Sequence, residues 1–152
     1  MTDLILAIVH HVLIFMLLAT LAIELTLLRE GLTPAGLKRL GTTDMSYGIV
    51  AGLILIVGVG RVLFGVKGAD YYIHNLFFWL KMAAFLGVGL CSIPPTLDIL
   101  KWRRAASVDA AYLPPAEAVA RARKWMLIEL RLFILIPVFA AIMARYPGFI
   151  RY

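Results

Sequence analysis

The sequence predicts an all-α fold, an integral membrane bundle of four antiparallel helices, and three observations carry that expectation. Of 152 residues, 62% are hydrophobic and only 16% charged, with a mean hydropathy of +0.92. A soluble domain of this size could not cover so much apolar surface with so few charges. Four stretches, about 4–28, 45–66, 73–100 and 122–146, each hold the roughly 20 mostly apolar residues that a spanning helix needs. The lysines and arginines between them are unevenly divided. Nine (Arg29, Lys38, Arg39, Lys101, Arg103, Arg104, Arg121, Arg123 and Lys124) flank the two polar linkers on one face; three (Lys67, Arg145 and Arg151) lie on the other.

The first stretch reads as a retained helix. Only Thr2 and Asp3 precede it, no basic region leads it and no small-residue cleavage site follows, so it does not resemble a secretory signal. The linker 29–44 contains Thr33–Pro34, a capping residue followed by proline at a first helical position. A short amphipathic turn from Ala35 to Leu40 is expected to lie along the membrane interface. In the second helix Gly48 and Gly52 form a small-xxx-small pair, the spacing that lets membrane helices approach closely. Residues 66–75 read as a tight hairpin with interfacial Tyr71 and Tyr72. Residues 103–125 open as loop, and Pro114–Pro115 then starts the last helix, which Pro137 should kink. The whole of 1–152 reads as one transmembrane domain without internal repeats.

Charge and cysteine usage narrow the setting. Loop lysines and arginines favour the cytoplasm, so both termini are expected on the periplasmic or extracellular side. The basic excess serves topology and lipid headgroups, and nucleic acid is not an expected partner. Cys91 is the single cysteine, so an intrachain disulfide is excluded, as is covalent haem attachment through a CxxCH motif. No P-loop, dinucleotide-binding glycine motif, HExxH or serine elbow occurs.

Polar residues inside the bilayer are costly and tend to face the bundle interior. At 100° per residue, His10 and Glu24, fourteen positions apart, return to nearly the same direction, joined by Leu13, Ile14, Leu17 and Leu21. His11 falls on the other side. Tyr47 and Arg61 share a second stripe with Ala51, Ile54 and Gly58; His74 and Lys81 share a third with Phe77, Phe85 and Ser92. With chain direction included, His10, His11, Arg61, His74 and Lys81 gather in the outer half with no acid at their depth. Glu24, Tyr47, Asp98 and Glu129 lie in the inner half near Arg131. Uncompensated cations in a low dielectric call for an anionic ligand, and a porphyrin with two propionates would suit. Each residue also has a plainer role open to it: an interhelical hydrogen bond for the histidines, snorkelling for Arg61, an interfacial position for His74, a polar contact between Glu24 and Arg131 or Glu129.

The segments "HHVLIFMLLATLAIELTLLR", "DMSYGIVAGLILIVGVGRVLFGVKGADYY" and "FFWLKMAAFLGVGLCSIPPTLDILKWRR" resemble an uncharacterised family of four-helix bacterial inner-membrane proteins, a domain of unknown function, through about Arg104. More distantly, the size, the helix-1 histidine and the helix-3 "WLK" resemble the J-type protoporphyrinogen IX oxidases. That resemblance implies haem b bound through a helix-1 histidine, matched by His10 or His11, and a required helix-3 lysine, matched by Lys81 as a catalytic residue. The second histidine, Glu24 and the "VKGADYY" segment depart from that pattern. The residue pattern and the resemblance together lead to the expectation of a haem b protein with a redox role towards porphyrin or quinone. Iron would be ligated by His10 or His11, a bis-His site would need His74, and Arg61 would hold a propionate. The competing expectation is a cofactor-free accessory subunit or assembly helper of a larger membrane complex; the expected partners are the lipid bilayer and a larger membrane complex or a second copy of the chain.

Overall fold

The computed structural model describes residues 1–146; Arg151, counted in the charge bias, and Tyr152 lie outside the described residues. Six helices follow in order: α1 (Thr2–Arg29), α2 (Pro34–Phe64), α3 (Gly68–Ile73), α4 (Leu76–Val108), α5 (Ala116–Phe133) and α6 (Leu135–Arg145). Four spans of membrane-crossing length and composition result, with α5 and α6 together forming the fourth. The fold is the expected antiparallel four-helix bundle.

Helix starts follow local chemistry. The Thr33 hydroxyl accepts from the Gly36 N–H at 3.0 Å, with Pro34 behind it. The Asn75 side-chain Oδ1 accepts from the Phe77 N–H at 2.9 Å. Each satisfies one of the donors that a helix N-terminus leaves open. The linker is therefore shorter than its polar composition suggests: Ala35–Leu40 is the first part of α2, and α4 continues to Val108. Residues 68–73 form a short helix, entered through Gly68 at φ +73°, in place of a bare hairpin. Its Tyr71 hydroxyl donates to the Met143 carbonyl at 2.9 Å, tying α3 to α6.

Pro137 acts as expected. Its ring cannot supply an N–H to the Phe133 carbonyl and crowds it, and the fourth span breaks between Phe133 and Leu135. Pro94 and Pro95, by contrast, lie inside an unbroken α4.

The core follows the stripes: Leu13, Leu17 and Leu21 from α1, Val50 and Ile54 from α2, Ala84 and Val88 from α4, and Met126, Phe133 and Ile136 from the fourth span. Outward positions are as apolar as the core. Phe15, Ile56 and Phe64 are each 69% exposed, a surface that requires lipid rather than water as its solvent. In lipid the hydrophobic effect does not drive helix against helix, so close packing and polar contacts hold the bundle.

The helices form a ring, α1 on α2, α2 on α4, α4 on α5 and α6, and α5 on α1. The ring is incomplete at one end. No Cα atoms of α1 and α6 come within 8 Å, although adjacent packed helices run with axes about 8–10 Å apart. The bundle is therefore looser at the face carrying the N-terminus, which we call the terminal face. The opposite face, with linkers 30–33 and 109–115, is the linker face.

Gly48 and Gly52 are not the close-approach positions their spacing suggested: a Cβ at either would meet nothing within 4 Å. The close approaches are elsewhere. A Cβ on Gly58 would stand 3.4 Å from His10 Cε1, and one on Gly41 would run into the Arg103 side chain.

Candidate functional site

Two polar layers lie within the bundle. The layer nearer the terminal face contains His10, Arg61 and Lys81. His10 turns inward on the stripe that continues through buried Leu13, Leu17, Leu21 and Glu24, with its ring against Gly58. The charges of Lys81 and Arg61 both act on it, and on each other. His10 Nδ1 and Arg61 Nε are buried without hydrogen-bond partners. Lys81 Nζ lies 5.4 Å from the centre of the Phe78 ring, within cation–π range. Among the described residues neither Arg61 nor Lys81 forms an ion pair, whereas His74 pairs with Asp70 and Arg121 with Asp98. Asp3 sits at the same end of α2 as Arg61, with its carboxylate beside Gly65 one turn further on.

His11 takes the other side of α1. It is exposed, and its Nδ1–H donates to the Ala7 carbonyl at 2.6 Å, which leaves Nε2 as the acceptor nitrogen on the outer surface of the bundle. The two rings stand edge to face with centroids 6.4 Å apart. His74 belongs to the α3–α4 junction: its Nδ1 is 3.2 Å from an Asp70 carboxylate oxygen and 3.0 Å from the Asp70 carbonyl. It is not among the groups acting on His10.

The second layer is acidic. The Tyr47 hydroxyl donates to Glu129 Oε1, joining α2 to α5. The Thr96 hydroxyl donates to Asp44 Oδ1 at 2.6 Å, joining α4 to α2. Glu24 is 2% exposed and Glu129 1%. One expectation is corrected. Arg131 is exposed and stands outside this layer, because its helical phase points it away from Glu129. Asp98 lies in the same half of the bundle, where it pairs with Arg121 at 3.0 Å. Asp44 was missed by the sequence reading. It had been placed in the linker, although it continues the Tyr47, Ala51, Ile54, Gly58, Arg61 stripe one turn towards the linker face.

Between the two layers lies an apolar stretch, Leu13 to Leu21 on α1 and Val50 to Ile54 on α2. His10 and Glu24 are fourteen residues apart, about 21 Å along a helix, so the layers are chemically separate. Among the described residues no three histidine, cysteine or acidic side chains converge as a metal cage would require.

Four long apolar helices closing on buried polar layers define a multi-pass helical membrane protein. The chain belongs to the family described as "Predicted membrane protein (DUF2214)", whose model matches residues 2–148. Neither the curated proteins nor the solved structures contain a match to it.

Proposed function

We propose that the layer at the terminal face binds an anionic, largely apolar ligand that enters from the lipid, and that haem b serving a redox role is that ligand. One observation carries the reading: His10 Nδ1 and Arg61 Nε are both buried without partners, beside Lys81, and among the described residues neither Arg61 nor Lys81 forms an ion pair. Buried cationic groups left in this state are costly unless an anion joins them. The residues fit the group. An imidazole would ligate iron, Arg61 and Lys81 would hold propionates, and Phe77, Phe78 and Phe85 offer apolar walls. When bound, haem supplies one-electron chemistry; the chain supplies the ligand, the counter-charges and a low dielectric. The separation of α1 from α6 gives lateral access at this end. Gly58 occupies the α2 side of the His10 ring, so a macrocycle would have to approach from the side of α1 that faces away from α2. Support from the J-type protoporphyrinogen IX oxidases rests on the sequence likeness at His10 and Lys81 alone.

We further read the protein as resident in the bacterial inner membrane with both termini outside the cytoplasm, on the charge bias of the linkers. The test of the ligand reading is spectroscopic. Protein expressed with ample haem and purified in detergent should show a Soret band; His10→Ala should abolish or shift it, His11→Ala should leave it, and Arg61→Leu should weaken retention. A protein that stays colourless under haem supply overturns the cofactor reading and favours the accessory-subunit one. Loss of the band in His11→Ala alone would assign ligation to the outer surface of α1.

A further inference from the structure

The acidic layer is not used by that reading, and it poses its own problem of charge. Glu24 comes from α1, Asp44 and Tyr47 from α2, Glu129 from α5, so three helices converge on it. Asp44 and Glu129 are the charged groups that act on Glu24, and Glu24 Oε1 is buried with no hydrogen-bond partner. The cations on the neighbouring elements do not neutralise the group. Arg103 on α4 bears on Asp44 but directs Nη1 to the Gly41 carbonyl at 3.3 Å, and Arg123 on α5 keeps a buried Nε without partner. No ion pair to Glu24, Asp44 or Glu129 exists among the described residues. Adjacent carboxylates shut away from water repel one another and lose their hydration, a state that persists only with a compensating positive charge.

Two sources of that charge remain, a metal cation and a proton. A metal needs several ligands aimed at one point, and among the described residues no three acidic, histidine or cysteine side chains converge in that way. Tyr47 already donates to Glu129 and Thr96 to Asp44; Glu24 is the member that no protein donor reaches. A carboxyl that carries a proton becomes its own donor.

We infer that Glu24, beside Glu129, forms a proton-binding site, in which a proton held on Glu24 supplies the charge that no side chain provides. Glu24 lies five residues from the end of α1 at Arg29, and Asp44 and Thr96 are half-buried, which connects this pair to the linker face. Protons therefore exchange with water at the linker face, and the apolar stretch from Leu13 to Leu21 separates them from the terminal layer.

Infrared spectroscopy of the full-length protein in lipid tests this directly. The chain has four glutamates, Glu24, Glu30, Glu117 and Glu129, and Glu30 and Glu117 are exposed. In protein labelled with carboxyl-¹³C glutamate, a carboxylic-acid carbonyl band that moves with the label at neutral pH arises from the buried pair. The expected result is that this band is present, survives replacement of sodium by choline, and disappears in Glu24→Gln of unchanged helicity. Finding only ionised carboxylate bands from the labelled wild type overturns the inference, and that reading needs no variant to fold. A band that appears only when sodium is withdrawn also overturns it, because a metal cation is then the native occupant.

Discussion

Removing the Tyr47 hydroxyl isolates what joins α2 to α5. Tyr47 is 6% exposed and Glu129 1%, and the phenol donates to Glu129 Oε1 across the bundle. Tyr47→Phe keeps the ring and its packing and leaves a buried carboxyl oxygen without its donor. A buried group stripped of its hydrogen-bond partner costs about 1–3 kcal/mol. For a chain of this length each kcal/mol moves the melting temperature by roughly 2–4 °C, so the expected loss is about 2–12 °C. The assay is thermal unfolding in one detergent, run as a cycle with Glu129→Gln and the double variant. Because both single changes break the same contact, the double variant should lose less than the sum of the two, with a coupling of about 0.5–3 kcal/mol. Strict additivity, or an unchanged melting temperature in Tyr47→Phe, would refute the claim that this contact ties the two helices.

Other outcomes follow from the same structure. Gly52→Ile should leave monomer melting within about 0.5 kcal/mol of wild type, since nothing lies within 4 Å of its Cβ position; a large loss would show that this face is covered. Gly58→Leu should lower stability by about 1–3 kcal/mol through overpacking, because its Cβ already touches the His10 ring at 3.4 Å; melting unchanged from wild type would contradict that contact. In a Cys91→Ala background, cysteine at Val66, 88% exposed, should react with an impermeant thiol reagent on intact cells, while cysteine at Val108, 90% exposed, should react only after permeabilisation. The reverse labelling pattern would invert the topology.

Much of the interior was legible because helical phase is a local property. The fourteen-residue spacings His10–Glu24 and Tyr47–Arg61 set each face without reference to neighbours, and the structure keeps both stripes inward. His11, one residue on, is turned out by the same arithmetic. What stands opposite a face is not local. Gly48 and Gly52 satisfy a spacing rule but face open space, whereas Gly58 and Gly41 meet His10 and Arg103. Asp44 was lost for a different reason: a boundary drawn where hydropathy rises placed it in a linker, although the helix begins ten residues earlier at Pro34. Arg131 shows the limit of grouping by depth, since matching height says nothing about which way a side chain points.

The break in the fourth span has a mechanical consequence. One rod would transmit any tilt along its length, whereas here the segment below the joint leans on α1 and α4 and the segment above it on α4 alone among the spans. Bending stiffness is lowest where the ladder lacks its rung, at Phe133. The upper segment has 11 residues, a lever of about 16 Å, so a 10° rotation at the joint carries its tip by roughly 3 Å. A displacement of that size is comparable with the thickness of an aromatic ring. The spacing of the upper segment from α1 at the terminal face is therefore set by one backbone joint near mid-membrane.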